Sequence, residues 1–338
     1  MDIKVLGRKE LEKVLEMSAV IDGVKSVYKQ KSCGNTIAWP LVEHHFHEKS
    51  AVSDIRSGGV FGDINLHGLK MLNSFPLNVK EGLPTFTGIL MLFDSTNGIP
   101  LGVMDASYIT CMRTGAAGAI GVQTLARPDS EVLFMLGAGK QSIFQIAATL
   151  ICMPKIRKVY IADALNLENA KKFALACYEK LRDDFGVDRP DVEFTSVTDM
   201  ATAIGESDVV ITITPSRSPV IKKEWVKPGT HLSCIGADMI GKEEIDPELF
   251  RCARVYADDV NQCSNVGEME IPIKTGFFRK EDVVGEIGEV LTGVVEGRKN
   301  SEDITIFDAT GLAILDLVTA KKSIQLAEEK GLGTIVEI

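Results

Sequence analysis

The chain has 338 residues, enough for two domains of about 100 to 150 residues each, and its 45% hydrophobic content can fill two cores. With 47 acidic against 37 basic side chains it carries a formal charge of -10, which argues against nucleic acid or another polyanion as partner and leaves small metabolites. No uninterrupted apolar run reaches about 18 residues, so no membrane partner is expected, and the opening residues do not form a secretory signal. The seven cysteines are odd in number and widely spaced without a Cys-x-x-Cys pair, the pattern of reduced thiols in a cytoplasmic protein.

Helical periodicity predicts a helix from about Arg8 to Lys31. Gly, Asn, Pro and His then punctuate short strand candidates, of which GLKML, TFTGILMLFD and GIPLGVMD are the clearest. His44, His45 and His47, near Glu43, invite a metal. Adjacent residues of a strand point to opposite faces, however, so only His45 and His47 share one, and two ligands do not close a zinc site. No metal is expected; pocket lining or a polar strand at a subunit interface is. From ASYITC onward a long helix, with Gly and Ala at 115–119, makes the expected joint between domains.

Between Glu131 and Asp163 runs an apolar strand, a glycine turn, a helix and a second strand ending in an acid. That order describes half of a dinucleotide-binding fold. Gly137 permits the tight turn, and Gly139 lets the backbone approach a pyrophosphate at the positive end of the helix from Lys140 to Ile151. Ser142 stands where the fingerprint has its third small residue. Asp163 can accept both hydrogen bonds of an adenosine ribose, and with no arginine beside it NAD is favoured over NADP. The βα rhythm continues through DVEFTSV, DMATAIGES, DVVITITP, THLSCIGAD and RVYADD, then a helix over GEIGEVLTGVVEG, a strand over ITIFDATG and a last helix from Leu312 to Glu329.

Several polar residues have two readings on their own. Lys70 follows an apolar strand, where its ammonium either snorkels from a sheet edge or reaches into a cleft. Arg113 heads an Ala/Gly-rich helix and either pairs with a surface acid or grips a carboxylate with two parallel hydrogen bonds. Asp238 follows the strand HLSCIGA, at a position that suits a helix cap as well as a catalyst. Lys242 is either near the cofactor or a surface charge.

The blocks GLKMLNSFPLNVKEGLPT, GVMDASYITCMRTGAAG, FMLGAGKQ, TITPSRSPV, THLSCIGADMIGKEEID and ITIFDATGLAILD resemble the ornithine cyclodeaminase and μ-crystallin family, in particular its archaeal alanine dehydrogenase branch. The resemblance implies an α/β protein: a Rossmann-type nucleotide domain, residues 120–306, inserted into an α+β substrate and dimerisation domain, residues 1–119 with 307–338. It implies catalytic roles for Lys70 and Asp238, and substrate contacts from Arg113, Thr85 and Lys70. Cofactor contacts fall to Thr114, to Gly137, Ala138, Gly139, Lys140 and Gln141, to Asp163, to Thr214, Pro215 and Ser216, and to Gly236, Lys242, Thr310 and Gly311. One departure stands out: Leu41 occupies the apparent place of a basic carboxylate contact, with Arg56 as the candidate replacement. The implied activity is NAD-dependent, reversible oxidative deamination of a small 2-amino acid to the 2-oxo acid and ammonia, by a homodimer. Cyclic ketimine reduction and ornithine cyclodeamination are the alternatives within the family, and a non-catalytic NAD(P)-dependent binding protein is the alternative outside enzymes.

Overall fold

The computed structural model describes residues 1–338 and divides into two compact units, Met1–Arg113 with Leu312–Ile338, and Thr114–Gly311. The first division falls inside the helix Ala106–Leu125, somewhat before the junction expected at 119. The second lies after the strand Ile304–Asp308, which the junction expected at 307 would have cut although it is hydrogen-bonded on both sides.

In the first unit the strands are β1 (Asp2–Leu6), β2 (Thr36–Ala38), β3 (Val42–Phe46), β4 (Ala51–Val60), β5 (Leu66–Ser74), β6 (Phe86–Asp94) and β7 (Pro100–Asp105). They form one sheet in the order β1-β7-β6-β5-β4-β2, with β3 also on β4 and the C-terminal strand Thr334–Glu337 outside β1. Only the β1–β7 pair is parallel. The single helix expected from Arg8 is two, α1 (Arg8–Val14) and α2 (Met17–Ser32), with Leu15 and Glu16 extended between them. The buried positions explain the break. Leu11 and Val14 mark one stripe, while Met17, Val20, Ile21, Val24 and Val27 mark another. On a continuous helix turning about 100° per residue these stripes would lie about 110° apart, so only a break lets both face the core.

Alternation along β5 decides what faces the sheet's covered side. Leu66, Gly68, Lys70 and Leu72 are buried there, and the helix Ala313–Glu329 packs so closely that a Cβ on Gly68 would lie 2.9 Å from Leu317 Cδ2. The opposite side exposes Met71, Ile89 and Met91.

The second unit starts within α3 (Ala106–Leu125) and holds β8 (Val132–Leu136), β9 (Lys158–Ala162), β10 (Glu193–Ser196), β11 (Val209–Thr212), β12 (Arg217–Ile221), β13 (His231–Cys234), β14 (Glu243–Ile245), β15 (Ala253–Ala257), β16 (Gly285–Glu286) and β17 (Ile304–Asp308). Eight of them make a parallel sheet in the order β10-β9-β8-β11-β13-β17-β15-β16, and β12 pairs with β14 separately. The strands read as apolar runs because both faces are covered. From β8 the chain builds outward through β9 and β10, then returns to β11 on the other side, so a topological switch point lies between β8 and β11. The helix expected over GEIGEVLTGVVEG is only Ile287–Thr292, ended by Gly293 at φ 77° in the left-handed region.

Candidate functional site

At the switch point two loops leave the carboxyl ends of β8 and β11. Gly137 has φ 116°, a conformation that side chains strongly disfavour, and a Cβ there would approach Ile213 O at 2.9 Å. Gly139 caps α4 (Lys140–Cys152) without a side-chain hydrogen bond, and a Cβ on it would meet no protein atom within 4 Å. A helix start with unsatisfied N–H groups and open space in front of Gly139 together fit the phosphates of a dinucleotide. Ala138 and Lys140 flank Gly139; Ala138 O accepts a hydrogen bond from Asn169 Nδ2 at 3.2 Å.

The same Asn169 amide donates to Asp163 Oδ2 at 2.8 Å, and Asp163 Oδ1 accepts from the N–H groups of Leu165 and Asn166, both at 3.1 Å. Three neutral donors and no cation hold this carboxylate.

Below the β11 and β13 loops sits a residue that sequence reasoning did not single out. Glu244 is fully buried; its Oε1 accepts from Thr214 N at 2.6 Å and Thr214 Oγ1 at 2.8 Å, and its Oε2 from Thr212 Oγ1 at 2.7 Å and Gly236 N at 2.9 Å. One side chain thus ties Thr214 and Gly236 together. A Cβ on Gly236 would lie 2.5 Å from Glu244 Oε2, which explains the glycine. Pro215 follows in the loop, and Ser216 Oγ donates to Ser218 O. Asp238 and Lys242 form an ion pair at 2.6 Å, and Lys242 also donates to Gly236 O.

Glu244 N and Ile245 N in turn donate to buried Glu268. Burial, and then the Glu244 charge, pushes the Glu268 carboxyl well above its usual range. Burial also pushes Asp308 up to about 8 and raises Asp258. Asp258 accepts from Gly311 N at 2.8 Å and from Thr310 Oγ1 at 3.3 Å, fixing the turn at Gly311, where φ is 81°. Thr114 opens the unit, and its carbonyl accepts from Gln145 Nε2 at 2.8 Å.

The first unit holds a compact charged cluster. Lys70 on β5, only 1% exposed, donates to Asp316 Oδ2 at 2.7 Å and to Thr110 Oγ1 at 3.2 Å, leaving a third N–H. Arg113 donates from Nε to Asp316 Oδ1 at 2.9 Å, while its two terminal nitrogens bond to nothing in the chain. Burial pushes Lys70 down to about 8, helped by repulsion from Arg113 and Arg56 and resisted by Asp316. Burial raises Asp316, but Arg113 and Lys70 outweigh it and hold the carboxyl below its ordinary value. Arg56 stands opposite Lys70 in the β4–β5 register and donates to Asp54. Leu41 is exposed. Thr85 lies in the loop before β6, its carbonyl accepting from Phe75 N.

Of these cluster members, Asp316 and Thr110 were missed. Asp316 had a signal: it sits four residues after Leu312, on the apolar stripe of the last helix, where a carboxylate is out of place unless paired. His45 Nε2 on the exposed strand β3 pairs with Glu43 at 2.6 Å, and its ring stacks on His47, which lies just beyond the strand in a 3-10 turn.

A parallel sheet with a glycine-turn switch point, carried in one chain with a unit that buries two cations against one acid, defines a dinucleotide-type α/β protein. The model of the ornithine cyclodeaminase/mu-crystallin family matches residues 1–331, and the chain belongs to that family. It is 34% identical to the alanine dehydrogenase of Archaeoglobus fulgidus over 337 residues, covering 100% of this chain and 99% of the relative. An archaeal alanine dehydrogenase dimer solved with bound NAD is similar at TM-score 0.90 and 35% identity over 100% of both chains. The Thermococcus litoralis Δ1-pyrroline-2-carboxylate reductase, solved with NADH and L-proline, is similar at TM-score 0.89 and 31% identity over 98% of this chain and 99% of that one.

Proposed function

We propose that the chain is an NAD-dependent oxidoreductase that interconverts a small 2-amino acid with its 2-oxo acid and ammonia. The observation that carries this reading is the charge count of the first unit's cluster. Lys70 and Arg113 bring two positive charges, Asp316 one negative, and both cations keep unused donors. A buried excess cation calls for an anion, and the fork of Arg113, held by its Nε, suits a carboxylate.

In this reading Arg113 grips the substrate carboxylate, Lys70 donates its third N–H to a carboxylate or carbonyl oxygen, and Arg56 and Thr85 complete the contacts. The cofactor, when bound, takes up or gives back the hydride of the substrate Cα. Asp238 exchanges a proton with the substrate nitrogen, with Lys242 as its counter-charge, and its carboxylate stabilises the cationic imine. Lys70, near the middle of its titration at mildly alkaline pH, passes protons to and from the oxygen of attacking or departing water. Thr114, residues 137–141, Asp163, residues 214–216, Gly236, Lys242, Thr310 and Gly311 hold the dinucleotide. The exposed sheet face of Met71, Ile89 and Met91 serves a homodimer, as the dimeric archaeal relative suggests.

The L-proline held by the Thermococcus litoralis relative favours a second reading, reduction of a cyclic imino acid, which the same cation pair would serve. One assay set separates them. NADH consumption is followed with pyruvate and ammonium, then with Δ1-pyrroline-2-carboxylate alone, and NADH formation with L-alanine. Turnover of pyruvate only when ammonium is present supports the dehydrogenase; turnover of the cyclic imine alone moves the assignment to imine reduction. Proline made from L-ornithine without NADH accumulation, and no alanine turnover, would replace both with cyclodeamination.

A further inference from the structure

Asp316 is the one anion in the first unit's cluster. It lies in the first turn of the helix Ala313–Glu329, is 1% exposed, and divides its two oxygens between two cations from different elements. Oδ2 meets Lys70 from β5 at 2.7 Å and Oδ1 meets Arg113 from α3 at 2.9 Å, with Thr110 Oγ1 bridging beside them at 3.2 Å from Lys70 and 3.5 Å from Oδ1. We propose that Asp316 is a positioning residue: a buried clamp that fixes the spacing of Lys70 and Arg113 and keeps the lysine in its ammonium form for the substrate.

The charged groups facing Lys70 are Asp316 on the last helix, Arg113 on α3 and Arg56 on β4; the neighbouring β6 position is Leu90, which is neutral. Burial and the two guanidinium groups all disfavour the ammonium, so Asp316 alone opposes its loss. Without that carboxylate two buried cations would also repel each other, and both side chains would leave the spacing that one substrate carboxylate can bridge. Occupying Arg113 through Nε leaves its terminal nitrogens free and aimed as a fixed fork, which a Lys–Asp pair alone would not achieve.

This inference rests on the oxidoreductase reading only for its kinetic arm, so the test has a second arm that needs no turnover. Lysine labelled with 13C at Cε is incorporated, the Lys70 signal is identified by its loss in Lys70→Met, and its titration is followed in the parent and in Asp316→Asn. The parent midpoint should lie near 8. In D316N it should fall by about one pH unit or more, with NADH affinity kept within about threefold as the check on folding. In kinetics, kcat/KM of the reductive reaction should fall about 100-fold at pH 7, and its alkaline limb should move to lower pH by the same interval as the signal. An unmoved Lys70 midpoint in folded D316N overturns the proposal. A moved midpoint with an unmoved limb keeps the clamp and rejects Lys70 as the titrating group of the reaction. If D316N does not fold, Asp316→Glu keeps the charge and changes the reach. A Lys70 midpoint near the parent value with about tenfold lower kcat/KM then supports the clamp, and parental kcat/KM overturns it.

Discussion

Replacing Glu244 with Gln is the sharpest test of how the proposed cofactor loops are held. The carboxylate accepts from two backbone N–H groups, Thr214 N on one oxygen and Gly236 N on the other, each accompanied by a threonine hydroxyl. A glutamine offers one acceptor oxygen and one NH2. Whichever way the amide turns, the hydroxyl on its NH2 side can rotate to accept, but the backbone N–H there faces another donor. A protonated carboxyl would still accept on both oxygens, so the argument holds in either charge state. One buried N–H without a partner costs about 1–3 kcal/mol, and at about 2–4 °C per kcal/mol for a unit of this size the Tm should fall by roughly 2–12 °C. The freed loops should weaken NADH binding about tenfold, equivalent to about 1.4 kcal/mol. Calorimetry and a fluorescence titration of NADH read both effects. E244Q with parental Tm and a dissociation constant within about twofold of the parent would show that the loops hold their own shape and refute the reasoning.

Two further expectations follow from the second unit. Asp308 has a folded-state pKa of about 8 against an ordinary 3.8, so the folded protein binds its proton more tightly than the unfolded chain. That contribution is complete below the unfolded pKa and declines through the window between them, by up to about 1.4 kcal/mol per pH unit. Urea denaturation should show stability falling from pH 5 to 8.5, with a shallower fall in Asp308→Asn; equal slopes would reject the assignment. NADPH should bind about 30-fold more weakly than NADH. At a separation of about 4 Å from Asp163, the nearly two negative charges of its 2′-phosphate would cost about 1 kcal/mol per charge pair in water. Equal affinities would mean that the Asp163 loop turns away.

How much of this was legible follows the range of the interactions involved. The unit from β8 to β9 reads from sequence because its signals are local: apolar runs, Gly137 in its turn, Asp163 at the strand end. β4 does not, since AVSDIRSGGV mixes small and polar residues, and its ten-residue length is imposed by pairing with β5 along nine registered positions. β1 and the C-terminal strand are adjacent in the sheet but at opposite ends of the chain. Lys70 and Arg113 were found through the resemblance, and their shared partner was not, because Lys70 and Asp316 are 246 residues apart. Glu244 stood in GKEEID, a charged run that reads as surface until β14 buries it.

The two clusters use opposite charge logic for the same reason. In the first unit two cations share one acid, and the uncompensated positive charge is what a substrate carboxylate would neutralise. In the second, Asp258, Glu268 and Asp308 are buried with no cation among them, and burial raises all three. Ionised, they would put negative charge beside loops proposed to hold a pyrophosphate. Burial disfavours that charge in each, and a protonated carboxyl still accepts from the N–H groups of Glu244, Ile245, Met269 and Gly311 without that repulsion. A carboxyl that keeps its proton can therefore brace an anion-binding loop where an ionised one would oppose its ligand.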